Sequence, residues 1–278
     1  MTLKELYDAG IDVLDENGIE SPETDAFYLL EHVTGIDMSR YLLQKGMEVS
    51  KEAQQEYMRL IDIRAAHVPY QYITGKAPFM GYMFKVTPDV LIPRFDTEVL
   101  CEEASRLITG EMKVLDMCTG SGCIAVALKL MCPDASFTAC DISEKALGVA
   151  QENARINGAD IRFVQGDLFE NLGKEKYSVI VSNPPYVTTG EYETLSPEVK
   201  HHEPEGALVA GEDGLDIYRR LIPAAKEHLT QGGYLLMEIG CAQGMPVRNI
   251  MEETGFKDVK IIKDLAGLDR VACGRSEF

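Results

Sequence analysis

From residue 94 onward, short apolar stretches alternate with stretches of helical periodicity, and this alternation constrains the fold more than any other feature of the chain. Strands that alternate with helices form a mostly parallel sheet, because a crossover helix must return the chain to the start of the next strand. We therefore expect an α/β domain with a doubly wound, Rossmann-like sheet. The expected strands are at 113–117, 136–140, 161–165, 177–182, 234–239, 259–262 and 270–273, and the expected helices at 97–108, 123–131, 144–156, 214–229 and 243–254.

The first 75 residues carry helical signals instead. Ser21 followed by Pro22 is a typical helix start, with a capping residue before a proline in the first turn. Residues 68–86 then alternate aromatic and small side chains around glycines, which favours a β-hairpin. We predict a helical bundle over 1–75, a β-hairpin linker over 76–93 and the main domain over 94–278. The bundle is either a stability cap or a module that docks a protein substrate, and the sequence leaves both open.

Composition restricts the function. The chain has 278 residues, 45% of them apolar, and no apolar run long enough to span a membrane. It begins without the apolar core of a signal peptide, and its seven cysteines form no CxxC pair, so we expect a cytoplasmic protein with reduced thiols. We also expect a monomer. The net charge of −18 argues against a nucleic-acid substrate, although a local basic groove is compatible with it. The negative charge would attract a basic protein partner, or it serves only to keep the protein soluble.

A glycine-rich loop follows the first expected strand of the main domain. Gly120 and Gly122 allow a tight turn and close approach to a ligand, and the next helix supplies free N–H groups. The loop alone satisfies the loose pattern G-x-G-x-x-G/A, so a nicotinamide oxidoreductase is one alternative. Asp141 ends the second strand, where a carboxylate bonds a ribose diol, and Asp167 ends the third, where it can accept from an adenine amino group with Leu168 beside the ring. The candidate cofactor-binding residues are Cys118, Thr119, Gly120, Ser121, Gly122, Asp141, Asp167, Leu168 and Asn183.

The fourth expected strand ends in Asn183-Pro184-Pro185-Tyr186. Each proline fixes φ at about −65° and lacks an N–H, so the backbone is extended and its carbonyls are not consumed by a helix. The Asn183 side-chain carbonyl and the Pro184 backbone carbonyl can accept both hydrogens of one planar –NH2 group, which Tyr186 can cover. We predict Asn183, Pro184 and Tyr186 as catalytic residues, and the same three with Pro185 as the substrate-binding corner.

The order of these parts resembles the S-adenosylmethionine-dependent methyltransferases of the seven-stranded Rossmann-like class. Over nearly its whole length the chain is similar to the HemK/PrmC family of protein-(glutamine-N(5)) methyltransferases. The stretches that carry this resemblance are 91–98, 115–122, 183–186, 202–204 with Leu208 and 211–215, and 264–270. Small departures are Cys118 in place of glycine, Phe95 in place of proline and Leu168 in place of a tryptophan.

The resemblance implies an activity and a partner. The cofactor would be S-adenosyl-L-methionine, with S-adenosyl-L-homocysteine as the product. The substrate would be the glutamine of the Gly-Gly-Gln motif in bacterial class 1 peptide chain release factors, a protein partner with no direct contact to nucleic acid or membrane.

Two other functions use parts of the same pattern. A DNA or RNA adenine amino-methyltransferase would use the same corner, but it also predicts a basic groove that the sequence does not show. A nicotinamide oxidoreductase explains the glycines and Asp141 but not the corner. His201 and His202 lack helical metal-ligand spacing, so we predict no metal site; a wall of the substrate pocket is the functional alternative for them, and the sequence leaves their role open. Glu238, at the end of the fifth strand, either is satisfied in the core or touches the substrate.

Overall fold

A computed structural model describes residues 1–277. Contacts divide this part of the chain into two units. The first is Met1–Lys76 with Ser196–His202, and the second is Ala77–Leu195 with the chain from Glu203 onward.

The first unit is helical, as the sequence predicts. Thr2 opens the first helix with a capping box to Glu5, and Gly35 closes the second in the left-handed conformation that suits glycine. Leu6, Leu30 and Tyr57 lie in the buried core between these helices. The helices are α1 (Leu3–Glu16), α2 (Pro22–Thr34), α3 (Met38–Gln44), α4 (Lys51–Ala65) and α5 (Tyr70–Thr74).

The prediction of a β-hairpin is wrong for residues 68–75, because residues 70–74 form the short helix α5. Pro69 precedes it, Gly75 ends it at φ 71°, and Tyr70 and Ile73 pack on the core of the first unit. Tyr70 and Ile73 are three positions apart, and such a pair lies on one side of a helix. The spacing of apolar residues in this stretch is therefore compatible with a helix as well as with a strand. The hairpin itself lies within the predicted linker, as strands β1 (Lys76–Phe79) and β2 (Tyr82–Lys85).

The second unit contains the predicted sheet, and the expected α/β fold is confirmed. Most elements match to within two residues; the largest difference is the fifth main strand, which begins at Leu229 and includes an irregular stretch with Gly232 at φ 76°, where its pairing with the fourth strand shifts register. The elements are α6 (Glu98–Leu107), β3 (Lys113–Met117), α7 (Cys123–Met131), β4 (Ser136–Asp141), α8 (Glu144–Asn157), β5 (Ile161–Gln165), β6 (Tyr177–Ser182), α9 (Thr189–Tyr192), α10 (Pro197–His202, in the first unit), α11 (Asp216–His228), β7 (Leu229–Glu238), α12 (Gly244–Thr254), β8 (Lys257–Lys263) and β9 (Asp269–Arg275).

The strand order is β5-β4-β3-β6-β7-β9-β8, with β9 antiparallel between β7 and β8. From β3 the chain moves outward to β4 and β5, then returns to β6 on the other side of β3. The order therefore reverses between β3 and β6, and in such sheets a ligand crevice opens at the carboxyl ends of the strands at this point. Buried apolar clusters cover both faces of the sheet.

Residues 1–277 lack two features that would point to other functions. None of the helices is both long enough and apolar enough to cross a membrane. No group of three or more His, Cys, Asp or Glu side chains is arranged to hold a metal ion.

Candidate active site

A cavity of about 440 Å³ opens at the carboxyl ends of β3, β4, β5 and β6. Its volume lies in the range of small-molecule sites. All the predicted cofactor-binding residues line it except Gly122, which lies behind the loop against α8. Its wall also includes Arg94, from the 91–98 stretch, and residues that the sequence did not assign to the site: Asp89, Val90, Leu91, Pro93, Thr97, Ile142, Ser143, Ala146, Pro204, Gly206, Ala207, Ile217 and Arg220.

Asp116 holds the glycine loop from beneath. Its Oδ2 accepts from the Thr119 hydroxyl at 2.5 Å and from the Ala125 N–H at 3.2 Å, while Oδ1 is buried without a hydrogen-bond partner in the described chain. Burial raises the pKa of Asp116 to about 7. Gly122 has φ 78°, and a Cβ there would lie 2.9 Å from Ala150 Cβ, so glycine is required by conformation and by space.

Asp141 joins two loops at the cavity wall. Its Oδ2 accepts from the Gly120 N–H at 2.8 Å, and Oδ1 accepts from the Ser143 N–H at 2.9 Å. Burial raises the pKa of Asp141, and these backbone hydrogen bonds oppose the rise. Ser143 caps α8, because its hydroxyl accepts from the Ala146 N–H at 3.2 Å. Each oxygen of the Asp141 carboxylate has capacity for a further donor, so this geometry is compatible with the predicted bond to a ribose diol.

Asp167 is paired with a cation that the sequence gave no reason to expect. Arg220, on α11, donates to Asp167 Oδ2 at 2.7 Å across the cavity rim. The next residue, Leu168, is buried at φ 51°, a conformation uncommon for a branched side chain, and its carbonyl accepts from Cys140 Sγ at 3.3 Å. The loop after β5 is therefore held in one shape against the cavity.

The Asn-Pro-Pro-Tyr corner stands at the end of β6. Asn183 and Pro185 line the cavity, whereas Pro184 is buried and lies outside its wall. Asn183 Nδ2 donates to Thr97 Oγ1 at 3.2 Å, so the side-chain carbonyl is the polar group of Asn183 that remains for a ligand. No backbone N–H of residues 1–277 donates to the Pro184 carbonyl.

Tyr186 is fixed by its neighbours and also lies outside the cavity wall. Its N–H donates to the Leu208 carbonyl at 3.1 Å, and its carbonyl accepts from Gln243 Nε2 at 2.9 Å. Its hydroxyl donates to Glu238 Oε1 at 3.1 Å. Burial and this carboxyl raise the pKa of Tyr186 far above its usual range, so the hydroxyl stays protonated. The sequence offered core and substrate roles for Glu238 but gave no sign of this pair.

The two arginines of the cavity wall are both neutralised. Arg94 is paired with Glu203, whose side chain is buried, and Arg220 is paired with Asp167. His201 and His202 do not line the cavity; they lie in α10, which belongs to the first unit. Asp141 lies in the cavity wall next to the glycine loop, and its hydrogen bonds come from backbone N–H groups and not from a cationic side chain. A carboxylate in this setting suits a cationic ligand or one that carries a diol.

Models of two protein families match this sequence. Residues 5–75 match the PrmC N-terminal domain, and residues 95–200 match the methyltransferase small domain. Among solved structures, a methyltransferase from Pyrococcus furiosus superposes with a TM-score of 0.58 at 19% identity, covering 78% of this chain and all of that one. The T. thermophilus 16S rRNA N2 methyltransferase in complex with AdoMet and guanosine gives a TM-score of 0.56 at 19% identity, covering 72% of this chain and 49% of its own.

The sheet, the cavity at its switch point and these matches define a Rossmann-like methyltransferase. The release factor glutamine methyltransferase of Geobacter sulfurreducens is 41% identical over 274 residues, which are 99% of this chain and 96% of that protein. This chain belongs to the release factor glutamine methyltransferase family. Neither the adenine methyltransferase nor the oxidoreductase alternative is favoured by this relationship.

Proposed function

We propose that this chain transfers a methyl group from S-adenosyl-L-methionine to the side-chain amide nitrogen of a release factor glutamine. The relatives' name supports the substrate, and the resemblance in the sequence specifies the glutamine of the Gly-Gly-Gln motif. The observation that carries the chemistry is the orientation of Asn183, whose –NH2 is held by Thr97 at 3.2 Å.

This orientation provides an acceptor where the substrate needs one. An amide nitrogen is a poor nucleophile because its lone pair is delocalised into the carbonyl. Two acceptors, Asn183 Oδ1 and the Pro184 carbonyl, would hold its two hydrogens and stabilise positive charge that develops on the nitrogen. Tyr186, fixed through its hydroxyl and backbone, would limit the movement of the flat amide and help to exclude water.

The donor site fits the same proposal. Bound S-adenosyl-L-methionine would supply an electrophilic methyl group and leave as S-adenosyl-L-homocysteine. The glycine loop and Asp141 would hold the amino-acid and ribose parts, and Asp167 with Leu168 would border the adenine. The nitrogen–methyl bond would form as the methyl–sulfur bond breaks, and the nitrogen would afterwards lose one proton.

The remaining proposals concern the partner. We assign the 1–75 bundle to release factor docking, the 76–93 hairpin to a linker and 94–278 to catalysis, in a cytoplasmic monomer. Two neighbouring leucines support the docking role, because Leu42 and Leu43 of α3 are 64% and 86% exposed. Replacing both with serine should lower kcat/KM for the intact release factor and leave a short glutamine peptide unaffected.

The function is tested with labelled donor and either a release factor or duplex DNA. The wild-type chain should label the release factor alone. Asn183→Ala should lower turnover by about 10²–10³-fold, the loss typical for one preorganised polar group, while donor binding in calorimetry persists. Asn249→Ala, an exposed position on α12, is the matched control. Label on DNA alone would reject the proposal, and near-normal turnover of Asn183→Ala would reject the role of Asn183.

A further inference from the structure

Asp167, at the cavity rim, differs from the other carboxylates of the donor site in what holds it. Asp116 and Asp141 accept hydrogen bonds from backbone N–H groups. Asp167 Oδ2 accepts from Arg220 Nη2 at 2.7 Å, whereas Oδ1 has no donor within residues 1–277. Arg220 belongs to α11 and lies 53 positions further along the chain. A side chain from a distant element therefore sets the direction of this carboxylate.

The backbone on both sides of Asp167 is fixed independently of this ion pair. The Gly166 N–H donates to the Asp141 carbonyl at 3.0 Å. The Leu168 side chain is buried, and its carbonyl accepts from Cys140 Sγ at 3.3 Å. Loss of the arginine would therefore release the carboxylate and leave the loop that carries it in place.

Stability does not explain this ion pair. The side chains of Arg220 and Asp167 are 52% and 34% exposed, and ion pairs on the surface contribute little because water already solvates both charges. Both residues line the cavity, and so does Ile217, which lies three positions before Arg220 on the same face of α11. The pair therefore faces the space that a ligand would occupy.

The chemistry of a fixed carboxylate determines which ligand it selects. A carboxylate only accepts hydrogen bonds, and since Arg220 occupies Oδ2 of Asp167, Oδ1 is left for a ligand. Adenine carries an exocyclic –NH2 group that can donate to this oxygen. A 6-oxo purine has an oxygen at the same position, which would set acceptor against acceptor. A carboxylate that was free to turn toward solvent would discriminate less between the two bases.

We propose that Arg220 is a positioning residue that holds the Asp167 carboxylate toward the exocyclic amine of the donor's base, so that the pair selects adenine over a 6-oxo purine. This inference rests on the proposed function, in which Asp167 borders the adenine of the methyl donor. Arg220 acts through Asp167 and not by its own contact with the base.

Titration calorimetry with two ligands tests this selection. The ligands are S-adenosyl-L-homocysteine and its 6-oxo counterpart, S-inosyl-L-homocysteine. The wild-type chain should bind the adenosyl ligand about 10- to 100-fold more tightly, the range expected for one hydrogen bond to a charged group. In Arg220→Met the affinity for the adenosyl ligand should fall by about five- to tenfold, while that for the inosyl ligand changes by less than about twofold. The ratio of the two affinities should therefore fall.

A purely structural role for Arg220 predicts a different pattern, because a distorted cavity would weaken both ligands together. An unchanged ratio in Arg220→Met, or equal binding of the two ligands by the wild type, would overturn the inference. Asp167→Asn tests the carboxylate itself, since an amide can present its oxygen or its –NH2 group, and the ratio should approach one. Adding Arg220→Met to Asp167→Asn should then cost no further affinity. A further loss in the double variant would show that Arg220 acts independently of Asp167 and would also overturn the inference.

Arg219→Met is the matched control. Arg219 is the neighbour of Arg220 on α11, but it donates to Asp213 at 2.9 Å and lies outside the cavity wall. Its substitution should leave both affinities within about twofold of the wild type. In steady-state kinetics Arg220→Met should raise KM for the donor and leave kcat within about twofold, because a binding contact is weakened and not one made only in the transition state. A fall in kcat at unchanged KM would contradict the inference, whereas failure of the wild type to bind S-adenosyl-L-homocysteine at all would contradict the proposed function.

Discussion

Asp116 should make the stability of this enzyme depend on pH in an unusual direction. The carboxyl lies under the glycine loop with no exposed surface, and burial raises its pKa to about 7, whereas an aspartate in an unfolded chain titrates near 3.9. Between these two values the folded state binds more protons than the unfolded state. Linkage then requires that the contribution of Asp116 to stability falls as pH rises through this window.

The magnitude follows from the same two pKa values. Full ionisation of Asp116 would cost the native state on the order of 4 kcal/mol, of which about 2 kcal/mol falls between about pH 5.5 and about pH 8. Asp116→Asn removes this titration and keeps the contacts, because one amide oxygen can replace Oδ2 as the acceptor for Thr119 and Ala125. The free energy of unfolding of the variant, relative to wild type, should therefore rise by about 2 kcal/mol over that pH interval.

Urea unfolding followed by far-ultraviolet circular dichroism measures this difference, and the chain has no tryptophan for a fluorescence assay. Asp134→Asn, on the exposed turn after α7, is the control and should change the free energy of unfolding by less than about 0.5 kcal/mol at either pH. If the difference between Asp116→Asn and wild type were the same at both pH values, the carboxyl would not be titrating in this range, and the account of the loop would be wrong.

Two further predictions concern buried contacts, one between α8 and the glycine loop and the other in an ion pair of the first unit. Gly122→Ala should destabilise the chain by about 1–3 kcal/mol and abolish donor binding in calorimetry, because its Cβ would meet Ala150 and its φ is strained; Gly148→Ala, in open space on α8, should be neutral or stabilising, and equal effects at the two sites would contradict the argument. Arg64→Met should cost about 3–5 kcal/mol in urea unfolding by leaving the buried Asp25 carboxylate without its partner at 2.6 Å. Arg59→Met, which breaks an exposed pair on the same helix, should cost at most about 0.5 kcal/mol, and similar costs for the two arginines would refute the difference.

The sheet could be predicted because its signals are local. Strand β6 is a mostly apolar stretch that ends at a polar, proline-rich corner, and α8 has a capping serine before its first residue and Gly158 after its last. Such features fix the local secondary structure within a few residues. Tertiary contacts therefore did not change the predicted strands and helices by more than a few residues. The stretch 70–74 behaved differently because its aromatic spacing fits both a strand and a helix, and packing on the first unit decided between them.

The glycine loop, Asp141, Asp167 and Asn183 could be placed together because the carboxyl ends of parallel strands share one edge. What the sequence did not show is how these groups are held. Arg220 lies 53 positions from Asp167, and Thr97 lies 86 positions from Asn183. Pairs at such separations leave no periodic pattern, so their hydrogen bonds appear only in the folded chain. The residues predicted to do the chemistry remain predictions; the structure adds the contacts that orient them.

The central claim is that one substrate nitrogen is held by two oxygens of the Asn-Pro-Pro-Tyr corner. A crystal structure of the chain with S-adenosyl-L-homocysteine and a Gly-Gly-Gln peptide tests it most directly. We expect the glutamine nitrogen within about 3.2 Å of both Asn183 Oδ1 and the Pro184 carbonyl oxygen. A glutamine amide bound elsewhere in the cavity, or an Asn183 that turns its –NH2 toward it, would contradict the account.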